Sequence, residues 1–173
     1  MKRILLVIIV LLSVSAKAQD KTLAFPEDYF GVYKGDLEIT NTKGKQNIGM
    51  EFHLTSTDST GIYNYKIVYI FDGKRNDRNY TLKTIDKDKG EYVIDENNGI
   101  ILGAKLVDNV LHNVFEVQGN LLMTTEAFFP DYMTFEIVFS GKNAKTVTKA
   151  IEDDIEVISY PITVTQKAHL IKQ

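Results

Sequence analysis

The chain has 173 residues, of which 44% are hydrophobic and 25% charged, and it contains no cysteine. Without cysteine, a disulfide framework and a lipid-modified cysteine anchor are both excluded, so stability must come from the core. The formal net charge of −3 argues against a nucleic-acid partner, because binding a phosphate backbone requires a clustered basic face.

Residues 1–18 have the organisation of a secretory signal peptide. Lys2 and Arg3 precede an apolar run over residues 4–12, and the small-residue pattern Ala16-Lys17-Ala18 follows. The apolar run is much shorter than the roughly 20 residues of a membrane-spanning helix, and no later stretch is long enough. We therefore predict cleavage after Ala18, export to the periplasm or the cell exterior, and no membrane span.

Residues 19–173 are predicted to form a single domain. The 155 residues that remain after cleavage lie within the usual range for one domain, about 100 to 200 residues. Since three positive charges belong to the predicted signal peptide, the net charge of the remaining chain is −6.

Alternation of apolar and polar residues dominates this domain and predicts half-buried strands. Glycine, asparagine and aspartate occur at short intervals between the alternating segments, as is typical of tight hairpin turns. A helical turn is predicted near residues 26–29. Strands are predicted near residues 31–40, 48–56, 62–71, 78–85, 90–96, 100–107, 110–118, 121–128, 132–140, 143–150 and 155–165.

The strand pattern predicts an all-β fold, a single antiparallel up-and-down barrel of about ten strands. Closing such a meander into a barrel removes exposed sheet edges. A two-sheet sandwich is the alternative, because alternation is common to both architectures.

A proposed turn length can be tested by asking whether it keeps the apolar residues of the two joined strands on one face of the sheet. The test is sensitive, because a shift of one residue in the register turns every side chain of a strand to the other face. A hairpin centred on Lys87 would place Arg78 opposite Glu96. A three-residue loop at 97–99, two-residue turns at 108–109 and 119–120, and a four-residue loop at 129–132 then keep one inward face through six strands. That face includes Leu82, Tyr92, Ile94, Ile100, Leu102, Ala104, Leu111, Val117, Leu122, Phe128, Met133, Phe135, Ile137 and Phe139.

The short turn leading into Gly31-Val-Tyr33-Lys-Gly35, followed by a meander of strands, resembles the calycin superfamily, and within it the lipocalin-like barrels. Lipocalins carry Gly-x-Trp on the first strand, where Gly31 and Tyr33 stand here, and tend to stack an arginine from the last strand over that aromatic. This chain has no arginine after Arg78. The chain is most similar to lipocalin-like proteins of unknown function exported by Gram-negative bacteria. The resemblance implies binding of a small apolar ligand.

The predicted inward face carries more polar groups than a filled core would hold. A buried polar group without a partner costs about 1–3 kcal/mol, so several on one face suggest a cavity, water or a ligand. Alternatively, the tyrosines extend their hydroxyls to solvent at a barrel rim, and Arg78 and Glu96 form a cross-strand ion pair. The candidate ligand-binding residues are Arg78, Tyr80 and Glu96 at one mouth, with Tyr65, Tyr69, Asn113, Phe115 and Glu126 deeper.

No metal or cofactor site is predicted. His53, His112 and His169 are too dispersed for metal-ligand spacing; the first two are expected to face outward and the third to lie in an exposed tail. No nucleophile motif or phosphate-binding glycine loop occurs, although Glu96 and Glu126 could in principle act as a carboxylate pair. An enzyme is therefore the least favoured of three interpretations.

The favoured interpretation is an exported barrel that binds a small apolar or amphipathic molecule in its interior. The alternative is a structural or interaction module with a filled core, which contacts another exported protein. The identity of the ligand and the oligomeric state do not follow from these patterns.

Overall fold

The computed structural model describes residues 23–173. The predicted signal peptide lies outside the described residues. A short 3-10 helix, Glu27–Tyr29, precedes the strands and confirms the predicted helical turn. Among residues 23–173, no helix is long and apolar enough to cross a membrane.

The strands are β1 (Gly31–Asn41), β2 (Gly44–Ser56), β3 (Ile62–Phe71), β4 (Lys74–Asp86), β5 (Glu91–Asp95), β6 (Ile101–Val107), β7 (Val110–Val117), β8 (Asn120–Phe128), β9 (Tyr132–Gly141), β10 (Thr146–Lys149), β11 (Glu156–Ser159) and β12 (Ile162–Lys172).

Ten of these strands form a closed antiparallel barrel in the order β1-β12-β9-β8-β7-β6-β5-β4-β3-β2. The predicted barrel is confirmed, and the sandwich alternative is wrong. Closure pairs the first barrel strand with the last, β1 with β12, from Tyr33 opposite Lys172 to Asn41 opposite Val164. The two remaining strands, β10 and β11, pair only with each other in a separate hairpin.

Aromatic side chains fill the end of the barrel covered by the 3-10 helix. The Phe128 ring centroid lies 5.1 Å from that of Phe25, 5.8 Å from that of Tyr29 and 5.9 Å from that of Phe52. Tyr33 is fully buried, and its hydroxyl donates a hydrogen bond to the Tyr29 carbonyl oxygen. This cluster closes one end, which we call the floor; the opposite end, where the turns at 72–73 and 97–99 lie, is the mouth.

Lys172, on the last strand, lies over the ring of the floor aromatic Tyr33, with Nζ 5.8 Å from the ring centroid. The sequence resemblance associates this place with an arginine. A lysine can stabilise this arrangement as an arginine does, because either cation over a tyrosine face is attracted by the ring quadrupole. Lys172 therefore places a cation over Tyr33, although the chain has no arginine on its last strand.

The inward face predicted from the turn lengths is largely confirmed. Leu82, Tyr92, Ile94, Ala104, Leu111, Leu122, Phe128, Met133 and Phe135 are all buried, whereas Ile100 and Val117, near the mouth, are exposed. Asp95 pairs with Ile101 and the Glu96 amide donates to the Ile100 carbonyl oxygen, which confirms the three-residue loop at 97–99. Gly99 adopts a φ of 100°, a conformation that L side chains rarely adopt.

The predicted register of the β4–β5 hairpin is wrong by two residues. Leu82 pairs with Ile94 and Thr84 with Tyr92, and the ladder shifts between Thr84 and Asp86, so that Ile85 has no partner on β5. The loop of this hairpin spans residues 87–90 and is not centred on Lys87, and the bulge adds one residue that is unpaired in the ladder. The predicted pairing of Arg78 with Glu96 is therefore wrong; Arg78 pairs with Ile67 on β3.

Two further predicted details are wrong. The β7–β8 turn consists of residues 118–119, because Val117 pairs with Asn120. The predicted strands 143–150 and 155–165 do not complete the barrel: most of this segment forms the exposed β10–β11 hairpin, and β12 continues to Lys172. His169 is exposed as predicted, but it lies on β12 and not in a tail.

Candidate functional site

An interior cavity of about 110 Å³ lies between the aromatic floor and the mouth. Its walls come from six or more strands, because inward residues at the middle of a barrel face a common axis. The lining residues are Tyr65, Ile67, Tyr69, Tyr80, Ile94, Glu96, Leu102, Phe115, Thr124, Glu126, Phe135 and Ile137. The lining is thus mostly apolar and aromatic, with a few polar groups, which is the usual composition of a small-molecule site.

Glu126 is the central polar group of this cavity. It lies on β8 with 2% of its surface exposed, and the Tyr65 hydroxyl donates a hydrogen bond to its Oε1. Its Oε2 is buried and has no hydrogen-bonding partner within residues 23–173. Burial raises the pKa of Glu126 to about 7, although the hydrogen bond from Tyr65 lowers it. A carboxyl group in this state can donate a hydrogen bond below neutral pH and can bind a cation above it.

Three tyrosines surround the carboxyl group. The Tyr65 and Tyr80 rings are nearly parallel, with centroids 6.4 Å apart and an angle of 21° between their planes. Burial raises the pKa of Tyr65 well above its ordinary value, and it raises that of Tyr69 to about 12. The phenols therefore stay protonated at neutral pH, so that they can donate hydrogen bonds and present neutral π faces.

The structure brings together most of the residues singled out from the sequence. Tyr65, Tyr69, Tyr80, Glu96, Phe115 and Glu126 all line the cavity. Asn113 is buried but does not line it: its Oδ1 accepts a hydrogen bond from Thr124 Oγ1 at 2.7 Å. Ligand binding by any of these residues stays a prediction.

Arg78 and Glu96 lie apart from each other at the mouth. Arg78 is exposed; burial raises the pKa of both Tyr69 and Tyr80, and the charge of Arg78 partly opposes this rise. Glu96 is half-buried and accepts a hydrogen bond from Asn98 Nδ2 at 3.1 Å. No ion pair joins the two within the described chain, because the β4–β5 ladder pairs Thr81 with Asp95, and this register places Tyr80, and not Arg78, level with Glu96.

Sequence reasoning missed the Tyr65–Glu126 pair as a unit. The two residues are 61 positions apart, and no local pattern reports a contact across a barrel. The alternation of apolar and polar residues predicted that both side chains face inward. That Oε2 of Glu126 has no partner among the described residues depends on how the barrel packs, which no local pattern reports.

Other surfaces of the described chain are weaker candidates for a binding site. A depression of about 480 Å³ on the outer wall, lined by residues that include Ile85, Val93 and Lys105, is open to solvent. Among the described residues, no group of three or more His, Asp or Glu side chains is arranged to hold a metal ion. The interior cavity is therefore the candidate site.

Comparisons with known proteins identify a solved structure with a similar fold. No protein-family model and no curated protein matches the chain. Among solved structures, the S-type phycobiliprotein lyase CPES from Guillardia theta is similar, with a TM-score of 0.58 and 6% sequence identity over 85% of this chain and 89% of that chain. At this identity the likeness concerns the fold alone. Together with the closed ten-stranded barrel, it shows that the protein has a lipocalin-like β-barrel fold.

Proposed function

We propose that this protein is an exported binding protein, which holds a small apolar or amphipathic ligand in the cavity around Glu126. The observation that carries the proposal is a carboxyl oxygen that is buried, has no partner among residues 23–173 and lies in a cavity with mostly apolar walls. Leaving such an atom unsatisfied costs about 1–3 kcal/mol, and a bound ligand or water that donates a hydrogen bond removes this cost.

The size of the cavity limits the ligand. Its 110 Å³ is well below the roughly 300–1,000 Å³ of sites for drug-sized molecules. The cavity therefore suits a compact molecule, or one end of a longer amphipathic molecule whose remainder lies at the mouth near Tyr80 and Glu96. Arg78, exposed at the mouth, is positioned to contact such a remainder.

Filling the cavity should abolish binding of a small probe. In the Leu102→Trp variant, the larger ring occupies cavity space, and we expect the affinity for isobutanol to fall at least about tenfold. Ile101→Trp, at the neighbouring outward position, is the matched control, because Ile101 is 60% exposed. Titration followed by NMR gives both dissociation constants. Equal affinities in the two variants would show that the probe binds elsewhere.

Export is part of the proposal and has its own test. We expect intact-mass measurement of protein from the exported fraction of its host to match a chain that begins at Gln19, because Ala16-Lys17-Ala18 has the form of a cleavage site. A variant lacking residues 2–18 is the control and should stay in the cytoplasm. Recovery of the uncleaved chain in the cytoplasm would contradict export.

The second candidate, an interaction module that contacts another exported protein, is favoured by the β10–β11 hairpin. Val147, Val157 and Ile158 on its strands are 47%, 53% and 40% exposed, and Ile151 in its loop is fully exposed. Exposed apolar side chains of this kind are common at protein contacts. This candidate requires no cavity, however, and gives no reason for a buried, unpartnered carboxyl oxygen in the barrel.

A further inference from the structure

The cavity around Glu126 contains acidic groups but no basic ones. Of the described residues that line it, Glu96 and Glu126 are the only ones with ionisable acidic side chains other than tyrosine, and none is Lys, Arg or His. Arg78 acts on Tyr69 and Tyr80 from the mouth but does not line the cavity, so a ligand carboxylate or phosphate beside Glu126 would have no cationic partner among the lining residues. A group that donates hydrogen bonds or carries positive charge would meet an acceptor.

The free oxygen of Glu126 points to the same kind of group. Oε1 already accepts from Tyr65, so that Oε2 remains as an acceptor with lone pairs that no described residue uses. Hydrogen bonds to a carboxylate from a charged donor are about twice as strong as those between neutral groups. An ammonium group would therefore be the most strongly held partner of this atom.

The aromatic walls add a second preference for a cation. Tyr65, Tyr69, Tyr80, Phe115 and Phe135 all line the cavity; the Tyr65 hydroxyl contacts Glu126, and the Tyr65 and Tyr80 rings are nearly parallel to each other. The face of an aromatic ring attracts a cation, and the attraction is larger where water is excluded. Compact ammonium groups with short apolar substituents suit such an environment.

We propose that the ligand is a small organic amine, whose ammonium group lies between Oε2 of Glu126 and the tyrosine faces while its apolar part contacts Leu102, Phe115 and Ile137. This inference rests on the proposed function, because it names the class of ligand for the same cavity.

The test compares three probes with the same branched four-carbon skeleton: isobutylamine, isobutanol and isobutyrate, which are cationic, neutral and anionic at pH 8. We expect isobutylamine to bind most tightly, with a dissociation constant on the order of millimolar because the probe has few atoms. Chemical-shift titration of the intact protein measures each constant. If isobutanol or isobutyrate binds at least as tightly, the amine inference is wrong and the proposed function stands. If none of the three binds, both are wrong.

The role of Glu126 is tested by Glu126→Gln, which retains the shape of the side chain but cannot ionise. We expect its affinity for isobutylamine to fall at least about tenfold and that for isobutanol to change about twofold or less. Glu136→Gln is the control, because Glu136 lies outside the cavity and pairs with Lys167. Thermal unfolding verifies that both variants fold. Unchanged amine affinity in Glu126→Gln would overturn the inference.

A pH series gives an independent readout. The groups whose charge acts near Glu126 are Tyr65 and Tyr69 on β3, Tyr80 and Arg78 on β4, and Glu96 after β5. Glu126, with a pKa of about 7, changes its charge between pH 6 and pH 8. The affinity for isobutylamine should therefore rise by about tenfold over this interval, while that for isobutanol stays constant. A flat or falling affinity for isobutylamine would contradict an ammonium–carboxylate contact.

Discussion

Replacing Glu126 with Gln is expected to raise the free energy of unfolding by about 3 kcal/mol at pH 8 and by only about 1 kcal/mol at pH 5. The folded pKa of about 7 lies above the ordinary value of 4.5, so the folded protein binds this proton more tightly than the unfolded chain does. The stability that this group contributes is complete below pH 4.5 and is lost as the pH rises through 7. Glutamine carries no charge at either pH and avoids the loss.

Urea denaturation of amine-free protein at pH 5 and pH 8 measures this difference. Glu136→Gln, on the outer face, should show no such gain at pH 8, because its carboxylate is partly exposed and paired with Lys167. If Glu126→Gln lowers stability equally at both pH values, the side chain of Glu126 is neutral or well solvated in the folded protein, and the assignment of a buried titrating group is wrong.

Truncating Phe128 should give the largest loss of stability among these variants. Phe128→Ala is expected to lower the free energy of unfolding by about 3–5 kcal/mol, because it removes a fully buried ring and leaves a cavity among Phe25, Tyr29 and Phe52. The 3-10 helix covers the floor through the same contacts, so its packing should loosen with the ring removed.

Phe71→Ala is the matched control for this truncation. Phe71 ends β3 with 52% of its surface exposed, and its removal should cost about 1 kcal/mol or less. Denaturant unfolding of both variants gives the comparison. Similar losses in the two would mean that the floor cluster is not tightly packed and that the barrel is held together mainly by its other layers.

Local sequence patterns predicted the structure correctly where the apolar alternation and the turn residues indicate the same register. The alternation Met133, Phe135, Ile137 on β9 predicted its buried face, and the loop at 97–99 had the expected length because a shorter turn would have directed Lys105 inward. Both predictions use the period of two between side chains, which holds along any strand whatever its partner.

The same patterns failed where pairing depends on a neighbour. The β4–β5 hairpin has a four-residue loop at 87–90 and a bulge at Ile85, so its opposite residues differ from those that a hairpin centred on Lys87 would pair. Similarly, β12 was predicted to end at 165 because nothing in its own residues shows that β1 and β9 continue alongside it to Lys172. Tertiary pairing supplies that hydrogen bonding, and it extends the strand beyond what local propensity indicates.

For this protein, the sequence by itself determined an all-β meander, its inward face and the set of polar side chains on that face, because these follow from the period of strands and the conformations that turns allow. Only the tertiary structure decided that the barrel closes through β1 and β12, that Arg78 and Glu96 stay apart, and that one oxygen of Glu126 has no partner in the described part of the chain. The physical reason is that closure, register and hydrogen-bond satisfaction depend on atoms distant in the chain, and they are settled by packing around a common axis.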